Sequence, residues 1–280
     1  MTALGYDAIV MGGGVAGAST AILLAQAGWS VAVIEKARFP RRKVCGECIA
    51  ATNFPLLDAL GVGAELAASA GPPLRRMGLY VGDDVLTADL PALRRAAEPW
   101  GRALGREHLD TLLLRRAAAC GARVYERWTV KALDRRGERH VCRIERDDAQ
   151  TLEAPVLIDA RGSWEPAPGA RPPARAGDLF GFKANFTGAA LEPGLLPVLA
   201  FEGGYGGMVI ADRGVLTIAC CVRRDRLRQW RSASPGATAG TAVERALVRN
   251  CAGVRRALDG TRREGALLSV GPIRPGARAV

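Results

Sequence analysis

The sequence predicts an α/β protein in which a parallel βαβ unit at the N-terminus is interleaved with an antiparallel β-sheet. Three observations predict it. An apolar run, YDAIVMG, passes through the glycine-rich GGGVAG into a helical pattern and then a second apolar run, SVAVIEK. Further on, LFGFKANF, LLPVLAFEGG, YGGMVIAD and GVLTIACCV are β-prone runs separated by turn signals. With 280 residues, 49% of them hydrophobic, the chain is long enough to bury a substantial core in one large domain or two interleaved ones.

The first segment parses as strand, turn, helix and strand, with Gly12, Gly14 and Gly17 spaced as the GxGxxG of a Rossmann-like dinucleotide fold. The first glycine permits a tight turn, the second lets backbone approach a pyrophosphate, and the third lets the helix pack closely on the strand. At Val15 and Ala16 the helix N-terminus presents free N–H groups and its positive dipole end to phosphate. Glu35, followed by Lys36, ends the second strand about 20 residues on, where a carboxylate can accept from ribose hydroxyls. The acid would repel a 2′-phosphate, which points to FAD or NAD and away from NADP. No charge occurs between Asp7 and Glu35, a span long enough to cross a bilayer. Its glycines, Gln26 and Ser30 fit a strand, turn and helix better, so no transmembrane segment is expected.

Three later stretches, RRKVCGE, GREHLDTLLLRRAAACGARV and APVLIDARGSWE, together with the glycine motif, resemble the single-Rossmann flavoproteins. That family includes aromatic-ring hydroxylases, geranylgeranyl reductases and flavin-dependent halogenases. The resemblance covers most of residues 5–165 and implies FAD as the bound cofactor, with NAD(P)H as a transient reductant, since there is no second GxGxxG. It implies a cofactor site of Gly12, Gly14, Val15, Ala16, Gly17, Glu35, Lys36, Arg41, Lys43, Cys45, Gly46, Arg106, Val130, Asp159 and Gly162. Arg41 and Lys43 can neutralise a pyrophosphate or the flavin edge, or form a solvated basic loop. Arg106 opens a helix whose apolar positions are Leu109, Leu112 and Leu113; a cation there opposes the dipole, so it serves either a ligand or a pair with Glu107 or Asp110. Asp159 ends a strand where open α/β sheets bind ligands, although an Asp before Gly also simply forms turns.

On the same resemblance, residues 1–72 and 104–165 form the FAD-binding domain and 73–103 and 166–270 a substrate-binding β-sheet domain. In the second, LRRMGLYVGDDVLTADL reads as strands, and residues 239–259 resume helical spacing with Val243, Leu247 and Val254 on one side. Residues 271–280 would begin a return to the FAD domain, and the family's third motif, a Gly-Asp, does not follow before the chain ends. Two expectations stem from this: a piece of a longer protein, or compromised FAD binding. Neither the Tyr-x-Trp-x-Phe-Pro motif of isoprenoid reductases nor the Trp-x-Trp-x-Ile-Pro motif of halogenases is present.

The CxxC of Cys45 and Cys48 admits a redox dithiol, half a zinc site or a flavin-facing loop; no second ligand pair supports zinc, and no metal is expected. In the flavin-loop reading, Gly46 allows close approach and the adjacent cations favour the Cys45 thiolate. Cys45, Tyr205 and Lys183 are the weak catalytic candidates. Seven unpatterned cysteines suggest a reducing, cytoplasmic setting. The net charge of +11 comes from arginines scattered along the chain, with no basic run of five and 5% aromatics, so nucleic acid is not expected as a partner. The expected partner is a hydrophobic or aromatic small molecule, with peripheral membrane contact possible. The resemblance to single-Rossmann flavoproteins implies, as the favoured expectation, an NAD(P)H-driven monooxygenase of bacterial secondary metabolism that hydroxylates an aromatic or polyketide-like molecule; a reductase of a carbon–carbon double bond and an inactive fragment are the alternatives.

Overall fold

The computed structural model describes residues 3–162 and 173–274. Along the chain run β1 (Leu4–Gly5), β2 (Ala8–Met11), α1 (Val15–Gln26), β3 (Val31–Glu35), β4 (Cys48–Ile49), α2 (Phe54–Ala59) and α3 (Gly63–Ser69). Next come β5 (Arg76–Val81), β6 (Asp84–Asp89), β7 (Arg102–Ala103), α4 (Arg106–Ala119), β8 (Arg123–Glu126), β9 (Thr129–Arg136), β10 (Arg139–Glu145), β11 (Ala149–Ala154) and β12 (Val156–Asp159). Beyond them lie β13 (Leu179–Thr187), β14 (Leu195–Phe201), β15 (Gly204–Ile210), β16 (Leu216–Arg223), α5 (Arg224–Ser232), α6 (Ala239–Asn250), α7 (Ala252–Leu258) and β17 (Arg262–Ile273). The chain forms two compact units. The first takes residues up to Arg42, Pro55–Ala67 and the stretch from Arg106 through β12; the second takes Lys43–Phe54, Ala68–Gly105 and everything from β13 to β17.

In the first unit, β12, β2, β3 and β8 form a parallel sheet in that order. β2 and β3 are buried along their whole length, which is why both read as unbroken apolar runs. A second, mostly antiparallel sheet in the order β1-β11-β10-β9 shares a core with the first through Ile9, Met11, Ile34, Tyr125, Ile144 and Leu152. In α4 the buried leucines are Leu109, Leu113 and Leu114; Leu112 is only half-buried.

The second unit is a seven-stranded sheet, β17-β13-β16-β15-β14-β5-β6. All four β-prone runs after the proline-rich stretch become strands. The sheet is mixed where a wholly antiparallel one was expected, because β5 pairs with β14 in parallel, Arg76 opposite Leu195 through Val81 opposite Ala200. The β5–β6 hairpin comes from far earlier in the chain and joins the free side of β14. A second correction concerns residues 271–273: they end β17, with Ile273 opposite Leu179, and extend this sheet rather than leaving it. Helices α6 and α7 press Val243, Leu247 and Val254 against Phe182, Leu199, Met208 and Leu216 of one sheet face. No helix among the described residues is long and apolar enough to cross a membrane.

Candidate functional site: a glycine cradle flanked by two arginines

β2 delivers the chain into Gly12, whose φ of 105° lies in the left-handed region. A Cβ there would stand 2.5 Å from the Ala160 carbonyl oxygen, and one on Gly17 would overlap the Gly12 carbonyl oxygen. Only glycines allow strand, turn and helix to meet this closely. Gly14 caps α1 without a side-chain bond to the first turn, and that turn contains no acid. Its N–H groups are therefore left for an external anion.

Two guanidinium groups stand at this helix end. A Cβ on Gly14 would meet Arg41 Nη2 at 3.3 Å and Arg106 Nη2 at 3.9 Å. Both arginines are held by Asp110, which is fully buried. Arg106 donates to Asp110 Oδ1 and Oδ2 at 2.7 and 2.9 Å, and Arg41 Nη1 lies 3.3 Å from Oδ2. The geometry joins the two readings of Arg106: it pairs with Asp110, one helical turn on, and it stands beside the glycine cradle. Glu35 is buried and accepts from the N–H of Gly13 at 2.9 Å and of Ala37 at 2.7 Å. Each carboxylate oxygen thus takes one backbone donor; Arg41 Nη2 also stands 3.9 Å from Oε2, and Oε1 keeps a lone pair for a further donor.

Beside Glu35 opens a cavity of about 130 Å³, walled by Gly12, Lys36, Trp128, Thr129, Val130 and Arg161 among others. Trp128 and Arg161 were not singled out from the sequence. Trp128 reaches the wall because its N–H bonds the Glu35 carbonyl at 3.0 Å, a link between β3 and the β8–β9 turn that spacing does not reveal. Asp159 turns to its neighbour rather than to the cavity: Arg161 donates to it from Nε at 2.9 Å, Nη2 at 2.6 Å and N–H at 3.1 Å. The Arg161 hydrogen bonds hold the Asp159 carboxyl below its ordinary range. Gly162, at φ 92°, completes the turn.

Lys43, Cys45 and Gly46 belong to the second unit. There Glu47, at φ 62°, is buried and forms an ion pair with Lys183, itself 2% exposed. Glu47 Oε2 also accepts from Thr217 Oγ1 at 2.5 Å, and Thr217 Oγ1 accepts from Asn185 at 2.9 Å. Lys183 is therefore sealed within a structural pair, a poor position for a catalytic group. Tyr205 is exposed, with its phenol raised chiefly by a hydrogen bond to Cys221. The Cys45 and Cys48 thiols are both free; Cys45 Sγ accepts from the Glu47 N–H and Cys48 Sγ donates to the Gly46 carbonyl, each at 3.4 Å. No cluster of His, Cys, Asp and Glu that could hold a metal occurs among the described residues.

A cradle that only glycine permits, an uncapped helix end, two guanidinium groups and an adjoining cavity beside a carboxylate fit the diphosphate and adenosine of FAD. The chain belongs to the FAD binding domain family, whose model matches residues 5–177. Among curated proteins it is similar to a tryptophan 2-halogenase of Chondromyces crocatus, 33% identical over 160 residues, 55% of this chain and 30% of the relative. It is also similar to the menaquinone reductase of Mycobacterium tuberculosis, 31% identical over 160 residues, 57% and 38% of the two chains. The chain thus aligns with about a third of the length of these relatives. Among solved structures, the myxobacterial chondrochloren halogenase CndH shares the fold with a TM-score of 0.81 at 21% identity, covering 96% of this chain and 64% of that one. A geranylgeranyl bacteriochlorophyll reductase-like protein of Thermoplasma acidophilum gives 0.73 at 16%, covering 96% and 66%.

Proposed function

We propose that the chain is the cofactor-carrying part of an FAD-dependent oxidoreductase that works as an NAD(P)H-driven monooxygenase on an aromatic or polyketide-like small molecule. The observation that carries the cofactor half of this reading is the placement of Arg41 and Arg106 beside Gly14, at the uncapped start of α1. Bound FAD supplies the redox chemistry. The protein's residues do the rest: the two guanidinium groups and the α1 N–H groups hold the diphosphate, and Glu35 orients the ribose through its free lone pair. In the second unit, Met77 and Leu79 of β5, Val198 of β14 and Tyr205 of β15 stand exposed, and strand pairing puts Leu79 beside Val198 on the face that α6 and α7 do not cover. That face suits a flat apolar substrate.

A second reading is hydride transfer to a carbon–carbon double bond without oxygen; that a reductase stands among the similar proteins supports a reductive reaction of some kind. Two measurements decide. The visible spectrum of the purified chain should show bound flavin, and a colourless protein rejects both readings. Substrate-dependent NAD(P)H oxidation should then require oxygen and yield hydroxylated product. Equal turnover under anaerobic conditions establishes the reductase instead, and a halogenated product in the presence of halide moves the reading to the chemistry of the halogenase relatives.

A further inference from the structure

Arginines occur along the whole chain, but their excess over carboxylates is uneven. Between Arg223 and Arg263 the chain carries eleven arginines against three carboxylates, Asp225, Glu244 and Asp259, a net +8. This is the stretch of α5, α6, α7 and the start of β17. Leu227, Trp230, Val243, Leu247 and Val254 of these helices all join the one core beneath them, so the helices form a single layer on the sheet. The arginines point the other way. α6 buries Val243, Ala246 and Leu247 and exposes Arg245 and Arg249, one turn apart; α5 exposes Arg228 and Arg231, and α7 exposes Arg255 and Arg256.

Five of the eleven are paired, Arg223 with Asp225, Arg224 with Asp178, Arg226 with Glu202, Arg255 with Asp83 and Arg263 with Glu244. The other six, Arg228, Arg231, Arg245, Arg249, Arg256 and Arg262, have no carboxylate partner among the described residues. None of the exposed large hydrophobic residues lies in this stretch. A stable protein interface is centred on buried aromatic or aliphatic anchors, which the layer does not offer. Sequence-specific reading of a duplex requires a helix or ribbon entering a groove, which helices packed in a layer do not offer; binding to duplex phosphates alone is an outcome that the test below separates. A fluid anionic surface requires neither anchors nor a matching shape, only cations free to meet phosphates.

We propose that this arginine layer is a docking surface for an anionic lipid bilayer, on which the protein rests without inserting. The inference is independent of which reaction the enzyme performs. The test is co-sedimentation of the full chain with vesicles of phosphatidylcholine, with and without phosphatidylglycerol, at low and high salt. The protein should pellet only with phosphatidylglycerol and be released by high salt. Each arginine near the surface is worth about fivefold in partitioning, so Arg245→Glu, Arg249→Glu and Arg256→Glu together should lower it by about a hundredfold or more. The corresponding triple lysine variant should still bind, and unchanged melting of both variants shows that the fold is kept. Three results would overturn the proposal: no pelleting with phosphatidylglycerol, equal pelleting with phosphatidylcholine alone, or displacement from vesicles by a short DNA duplex that binds more tightly at the same salt.

Discussion

Each unit buries a charged group, and the two are buried differently. Asp110 in the first unit is fully enclosed, yet its partners Arg41 and Arg106 keep side-chain exposures of 19% and 16% beside a backbone cradle. Lys183 and Glu47 in the second unit are sealed together, at 2% and 1%. The first arrangement holds cations where an anion can reach them. The second satisfies its own charges and ties the loop after Cys45 to strands β13 and β16. Burial alone therefore does not mark a functional charge; what matters is whether its partner still faces outward.

The largest effect should come from breaking the sealed pair. Lys183→Met leaves Glu47 buried and uncompensated, which should cost about 3–5 kcal/mol of stability. The double variant with Glu47→Gln should recover much of that loss in a thermal or urea melt. A single variant melting like the parent would show that the pair is not sealed in solution.

A smaller effect is expected at the open site. Asp110→Asn removes the charge that holds Arg41 and Arg106 in place, and FAD affinity should fall about tenfold, roughly 1.4 kcal/mol. Quenching of flavin fluorescence reads this directly, without any assay of activity. Unchanged affinity would mean that the arginines hold their positions without Asp110, and the contrast with the sealed pair would lose its basis.

The smallest effect concerns Asp178, which accepts from Arg274, from the Arg175 N–H and from Arg224. The hydrogen bond from Arg274 is the main cause of a carboxyl held far below the ordinary range. A depressed folded-state pKa adds stability above the unfolded value of about 4, and that stability is lost as pH falls below it. Asp178→Asn should therefore lower the melting temperature at neutral pH and flatten its decline in acid; parallel curves for parent and variant would contradict this.

The glycine cradle was legible in the sequence because each of its parts is local: three glycines, a strand, a helix and an acid within about 25 residues. The four late strands were legible because turn residues separate them. The β9–β11 meander was missed, since TVKALDRR and AQTLEA carry charges on exposed faces and read poorly as strands. Trp128 and Arg161 escaped notice because their places depend on pairing of β3 with β8 and on the turn after β12; Asp110 was foreseen only as a pair for Arg106, and its hold on Arg41 depends on packing of α4, which no spacing along the chain encodes. Glu47 was passed over between two cysteines that drew attention to themselves. The concentration of arginine on α5 to α7 was countable in the sequence, but only helix packing shows that the residues share an outer surface.

The order of strands in the two units also sets a timetable for synthesis. Every strand of the first unit's sheets has left the ribosome by Asp159, whereas the seven-stranded sheet lacks its edge until Ile273. At ordinary rates of translation that gap is on the order of ten seconds. Until Phe201 is made the β5–β6 hairpin has yet to gain β14, and until Ile273 its Met77, Leu79 and Leu86 are apolar strand residues without a finished sheet around them. A chaperone acting on the nascent chain would find its target there.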